Sequence, residues 1–392
     1  MLFELLQALA KRAPGKVGLL IAWNAPAPEV TEDERDSITA LTAIGVHVLP
    51  ELAIKPRPLR SRLARLLSPR LEDLHPEAAS SEALQRCIEP FGPDVVLPVW
   101  SEWLTAALSS LPYAKFAYYG NPDLKSVMAR ANFFRELGEL PLAKYLRIKL
   151  MVAQLEPAHL EAMRRYQWLG NVAANDADYY VRHGHPAAFY IQNTWFDRYG
   201  PAWLERRERA ERGARPLVLA NVGKLSGTAN TLGLHYLGTQ VLPEIAHLRG
   251  HSCTLRICGA GTPHAVVQRA LHQSGVEMAG FVPDIDEAIL ESPVFLCVNN
   301  ATRYKVGHTR YLHAWSLGAC VVAHRDAALS MPEIVHGENA LLGANAAEIA
   351  GLVSEALDNQ PLRRRIGQRG YETFRERFSA DVVAARILAT VG

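Results

Sequence analysis

Hydrophobic residues in this chain fall into two patterns that alternate along it. Short unbroken runs, such as VFLCV at 294–298 and ACVVA at 319–323, are too short for buried helices and too continuous for half-exposed strands. They predict central strands of a parallel sheet that is covered on both faces. Between such runs lie stretches with apolar residues every three or four positions, which predict amphipathic helices. The first is 2–11, with Leu2, Phe3, Leu5, Leu6 and Leu9 on its buried side, followed by a strand at 16–23. A second helix spans 31–44, with Thr31 as N-cap and Glu34 completing a capping box, and 46–49 follows as a strand.

Further along, strands are expected at 94–99, 115–119, 169–173 and 188–195, with helices at 102–108, 123–137, 142–166 and 176–183. Pro157 should interrupt the long helix. The charged stretch 204–216, LERRERAERGARP, has no clear period and reads as a linker, so a second domain starts at Leu217. There the strand and helix patterns continue to three final helices at 346–357, 361–377 and 380–391. Strands alternating with helices define an α/β chain of the doubly wound kind. In such sheets ligands bind at the carboxyl ends of strands, and the polar loop 299–309 leaves the end of the 294–298 strand and leads into a helix at 310–317.

Length and composition sharpen this picture. A chain of 392 residues fits two domains of ordinary size, and 49% hydrophobic with 21% charged residues is globular. No apolar run approaches the roughly 20 residues that cross a bilayer, and the N-terminus lacks a small-residue cleavage site. The protein is expected in the cytoplasm, in solution or peripheral on the inner face of the membrane. A net charge of +2 argues against a dedicated nucleic-acid binder. The five scattered cysteines read as buried thiols, three of them within expected core strands, and form no zinc or redox motif. One basic segment stands apart: at 55–70, Arg57, Arg60, Arg62, Arg65 and Arg70 alternate with Leu59, Leu63, Leu66 and Leu67. It suits an anionic membrane surface or a phosphorylated acceptor, and it equally suits a solvated helix face.

The segment 280–342 runs GFVPDIDEAILESPVFLCVNN, then ATRYKVGHTRYLHAWSLGACVVAHRDAALSMPEIVHGENALL. In order, it resembles the C-terminal domain of the group 1 glycosyltransferases of GT-B architecture. Upstream, VLANVGKL from 218, ANTLGLHYL from 229 and LRICGAG from 255 are similar to the first strand, helix and second strand of that domain. The resemblance implies two Rossmann-like domains with a cleft between them. One is an acceptor-side domain at 1–203, either lacking its first strand or using 16–23 for it. After the linker 204–216 come a nucleotide-sugar domain at 217–378 and a helix at 379–392 that crosses back to the first domain. It implies sugar transfer from a nucleotide-sugar to a saccharide or lipid-linked acceptor in cell-surface polysaccharide or glycoconjugate synthesis, with retention of configuration and no cofactor. No metal cluster appears, so a metal-independent reaction is expected.

A nucleotide-sugar carries a diphosphate, a ribose diol and a base, so its site needs cations or free amides, a polar acceptor and an apolar slot. On the resemblance, Arg310 and Lys224 take the diphosphate, helped by Gly223 and by the backbone of Gly307, His308 and Thr309. Gly259 and Gly261 follow the second strand, and the Val282 to Asp284 loop holds the base by main-chain bonds. Gly259-Ala-Gly261 also admits a dinucleotide reading, but a third glycine and a later acidic residue are missing. Where the family has a Glu for the ribose hydroxyls this chain has His313, and Lys305 or a neighbour stands at the family's Glu for the donor sugar. A neutral His accepts at one nitrogen, and a carboxylate takes both hydroxyls. Glu333, at the family's pEiv position, caps a helix or touches the ligand. Arg310, Lys224, His313 and Glu333 are expected to face the cleft. On the acceptor side, Glu102, Asn121 and Asp123 occupy strand-to-helix junctions, Glu102 as a catalytic candidate, with helix capping the alternative for Asn121 or Asp123. Asn193 matches the Asn of the family's vIPNGVD strand, and Arg60 belongs to the basic segment. A histidine usual near 100–103 in the family is absent here. The second class of function is a catalytically degenerate GT-B protein that binds nucleotide-sugar, glycan or a partner subunit; a dehydrogenase comes third.

Overall fold

The computed structural model describes residues 2–24, 31–54, 61, 64, 81–119, 122–211, 217–220, 222–250, 252–301, 303–305 and 309–392. The basic segment around Arg60, together with Asn121, Gly307 and His308, lies outside them. The chain divides into two units, one formed by Met1–Gln192 with Ala380–Gly392, the other by Asn193–Ser379. Among the described residues no helix is long and apolar enough to cross a membrane.

In the first unit, β5 (Val95–Val96), β6 (Ala114–Tyr119), β7 (Trp168–Asn171) and β8 (Ala188–Tyr190) pair side by side in that order, all parallel. The expected strand at 16–23 is instead two short pieces. β1 (Gly18–Leu19) pairs with β3 (His47–Val48), and β2 (Ala22–Asn24) pairs with β4 (Leu52–Ile54). Thr31 and Glu34 form the anticipated capping box before the helix Glu32–Ala43. Pro157 does not break the helix Leu142–Arg164, which runs through it. Its ring displaces a single backbone hydrogen bond, and the contacts of Val152, Leu155, His159 and Ala162 hold the helix on both sides of it. The C-terminal helix Ala380–Val391 returns to this unit, where Val383, Ala384 and Ile387 share a core with Leu5, Leu9, Phe116 and Ile191. Arg12 and Asp381 pair at its edge, 2.6 Å apart.

The second unit is a six-stranded parallel sheet of β9 (Leu217–Ala220), β10 (Thr254–Cys258), β11 (Val276–Gly280), β12 (Val294–Cys297), β13 (Cys320–His324) and β14 (Leu341–Gly343). Its order is β11-β10-β9-β12-β13-β14, the 3-2-1-4-5-6 order of a doubly wound Rossmann sheet. The unbroken apolar runs follow from burial on both faces. Phe295, Cys297, Val321, Ala323 and Leu219 enter one core, and Val294, Leu296, Cys320, Val322 and Val218 enter the other. All five cysteines are free, and Cys87 is the one that is not buried.

The segment read as a linker differs from that expectation. Trp203–Glu211 is a helix of the second unit, and Arg207 on it is buried. The guanidinium donates from Nε to the Leu317 carbonyl (3.1 Å), from Nη1 to Ser292 (3.0 Å) and from Nη2 to Ile289 (3.1 Å). One cation thus binds carbonyls at the ends of two helices, where helical partners run out; the Ile289 carbonyl also accepts from the Ser292 amide at 3.3 Å. The Trp203 ring lies where a side chain on Gly318 would stand, 2.1 Å from a Cβ built there, and Gly318 has a positive φ of 59°. Only glycine fits that position.

Candidate functional site

The strand order of the second unit reverses between β9 and β12, and the crevice at such a point is where open α/β sheets take ligands. Two loops meet there. After β9 come Val222, Gly223 and Lys224; after β12 come Val298, Asn299 and Asn300, and the chain returns with Thr309 and Arg310 to the helix Tyr311–Ser316.

Arg310 stands at the N-cap of that helix, and its guanidinium lies flat against the backbone of Gly223. A Cβ on Gly223 would fall 2.0 Å from Nη1 and 2.3 Å from Cζ, and the φ of +109° independently favours glycine. Gly259 closes the other side, because a Cβ there would meet the Gly223 carbonyl oxygen at 1.9 Å. Three loops therefore pack backbone to side chain around one cation. Burial lowers the guanidinium's pKa from its ordinary value, with the nearby Cys297 sulfur opposing. Among the described residues no hydrogen-bond or ion-pair partner reaches it, and the same holds for the exposed Lys224 ammonium next in the chain. A desolvated, unpaired cation is costly unless an anion completes it.

Buried amides hold this arrangement. Asn230 donates to the Lys224 carbonyl (2.8 Å) and accepts from Asn299 (2.8 Å). Asn300 donates to Ser330 (2.8 Å) and accepts from the Tyr311 hydroxyl (2.7 Å), one residue from Arg310. On the other flank Asn193 donates to the Thr309 hydroxyl at 2.9 Å. Asn193 thus belongs to the second unit and steadies the Arg310 loop, whereas the sequence had assigned it to the acceptor side.

His313, one turn beyond Arg310, is buried, and its Nε2 lies 2.6 Å from Asp286 Oδ1. Asp286 is itself buried and accepts a second bond from Arg198 at 3.1 Å. Burial pushes the Asp286 carboxyl up, but the bonds and charges of His313 and Arg198 outweigh it and hold the group below its ordinary range. Trp195 and Phe196 cover the imidazole, with ring centres 4.9 and 5.9 Å away. A hydrogen bond from Nε2 to the carboxylate leaves Nδ1 as the acceptor of a neutral ring. Lys305, the other departure from the family pattern, pairs with Asp326 and has a positive φ of 46°.

The remaining predicted residues take other places. Asp284 is the N-cap of the helix Ile285–Glu291, its Oδ1 accepting from the amides of Asp286 (3.0 Å) and Glu287 (3.3 Å). Val282 packs at the edge of the core, and Gly261 turns in open space with φ +82°. Glu333 lies in a turn rather than a helix, its carbonyl held by Asn339 at 2.8 Å. In the first unit Glu102 opens the helix Glu102–Leu108 after the N-cap Ser101. Pro122 holds the N-cap of the helix Asp123–Glu136, so Asp123 is its first residue and not its cap. Sequence reasoning missed Asp286, Asn230, Asn299 and Asn300. The polar pair Asn299-Asn300 closing an all-apolar strand was the one signal that pointed to them.

A Rossmann sheet of this order in a chain with a second parallel α/β unit is the GT-B fold. Residues 216–359 match the family Glycosyl transferases group 1. Over nearly its full length the chain is similar in structure to Alr3699/HepE from Anabaena, solved in complex with UDP and glucose. The TM-score is 0.62 at 16% identity over 99% of this chain and 95% of that one. Sucrose-phosphate synthase (tll1590) from Thermosynechococcus elongatus gives 0.62 at 15% identity over 95% and 98%. An α,α-trehalose-phosphate synthase (UDP-forming) from Burkholderia xenovorans, in complex with glucose-6-phosphate, gives 0.51 at 12% identity over 82% and 78%. No curated protein matches the sequence.

Proposed function

We propose that this protein transfers a sugar from a nucleotide-sugar, with UDP as the nucleotide, to a saccharide or lipid-linked acceptor, with retention and without a metal ion. The observation that carries this reading is the Arg310 guanidinium seated on Gly223 at the switch point, without a partner among the described residues, inside the stretch that matches the group 1 glycosyltransferases. Arg310 and Lys224 supply two positive charges where a departing diphosphate gathers negative charge. Because buried amides fix the loops beforehand, little reorganisation is needed as the bond breaks. The choice of UDP rests on the Anabaena structure, which holds it. With Nε2 of His313 engaged by Asp286, Nδ1 is the ring nitrogen left to meet a ribose hydroxyl.

A second reading has a specific observation behind it. At the two positions where the family has glutamates, this chain has a lysine bound to Asp326 and a histidine bound to Asp286. On that reading the protein binds a nucleotide-sugar or glycan without transferring the sugar. Incubation with a panel of UDP-sugars and saccharide acceptors separates the two by release of UDP and by mass spectrometry of the products. Transfer to an acceptor supports the first reading; tight binding of UDP with no release supports the second.

A further inference from the structure

On the first unit, the helix Leu142–Arg164 buries Val152, Leu155, His159, Ala162 and Met163 against its neighbours. Leu142, Leu146 and Leu150 stand on the other side and are 52%, 52% and 51% exposed. A step of four residues advances a helix by only about 40° beyond a full turn, so the three form one stripe opposite the packed face. Lys149 borders the stripe on one side and Arg147 on the other, with Lys144 in the first turn; all three are exposed. Among the described residues none of the three makes an ion pair or hydrogen bond, and no acidic residue occurs from 140 to 155. Three half-exposed leucines in register on one helix are a patch, unlike the scattered single apolar residues of ordinary surfaces.

We propose that this face docks on an anionic lipid surface. The leucines enter the boundary between headgroups and acyl chains while Arg147 and Lys149, which flank the stripe, meet the lipid phosphates, as basic amphipathic helices do. A second copy of the chain fits less well. In a two-fold pairing of this helix with itself the bordering cations of one copy would face those of the other, with no carboxylate between 140 and 155 to relieve them. The helix is a separate stretch of sequence from the basic segment 55–70, and its docking does not depend on the proposed sugar transfer.

The test uses the full chain and phosphatidylcholine vesicles with or without phosphatidylglycerol, read by co-sedimentation. The wild type is expected on the anionic vesicles alone and should be released by added salt. Leu146→Glu with Leu150→Glu should abolish binding, and the milder Leu146→Ser with Leu150→Ser should weaken it about tenfold or more. Arg147→Gln with Lys149→Gln should lower it several-fold at low salt. Because these side chains are exposed, the thermal midpoints should match the wild type; if the glutamate pair unfolds, the serine pair decides. The proposal fails if the wild type ignores anionic vesicles or if the leucine variants bind as well as it does. It also fails if sedimentation velocity shows a dimer, without vesicles, that the same substitutions dissociate.

Discussion

Arg310 and His313 lie one helical turn apart, yet their surroundings are opposite. Arg310 is desolvated with no partner among the described residues, whereas His313 has a buried carboxylate at 2.6 Å and two aromatic rings over its face. A glutamate in place of His313 would therefore set one buried carboxylate against another. We expect His313→Glu to lose about 3–5 kcal/mol in denaturant unfolding, and Asp286→Asn in the same chain to restore much of it. Equal stability of wild type and single variant would refute the pairing. Since the folded Asp286 carboxyl sits below its unfolded pKa, the stability from this contact is present above the unfolded value. It is lost as pH falls through the folded one.

At the scale of elements, the helix Trp203–Glu211 shows where sequence reading stops. In LERRERAER the arginines look alike, and nothing local distinguishes Arg207, buried on three carbonyls, from the exposed Arg206 and Arg209. The distinction is set by residues 82 to 110 positions away. Arg207→Ala should cost the second unit about 3 kcal/mol or more, because the buried Leu317 and Ser292 carbonyls lose the guanidinium and Ile289 loses one of its two donors. Arg206→Ala and Arg209→Ala should each stay within about 0.5 kcal/mol of the wild type. Comparable effects of all three in chemical denaturation would return the segment to a linker. Strands β12 and β13 were legible because burial on both faces leaves an unbroken apolar run, and Arg310 because a polar loop between such runs marks a ligand edge. Asp286 was not: it lies two residues after the cap Asp284, and its partner is 27 residues further along the chain.

For the whole molecule, chain order and domain membership part company at Ser379, since the final helix completes the core of the first unit. Deleting 380–392 removes Val383, Ala384 and Ile387 from beside Leu5 and Leu9. Each such loss of a buried aliphatic side chain costs on the order of 1–3 kcal/mol. Hydrogen exchange should then show early opening in β6 and in Leu2–Arg12, with β12 and β13 unchanged; uniform loosening of both units would count against this division. The central claim is that a nucleotide diphosphate completes the cation on Gly223, and titration calorimetry with UDP tests it most directly. The wild type should bind UDP, and Arg310→Ala, with an unchanged unfolding midpoint, should bind it tenfold to a hundredfold more weakly, the equivalent of about 1.5–3 kcal/mol for hydrogen bonds to a charged group. Failure of the wild type to bind UDP, or equal affinity in a folded Arg310→Ala, would contradict it.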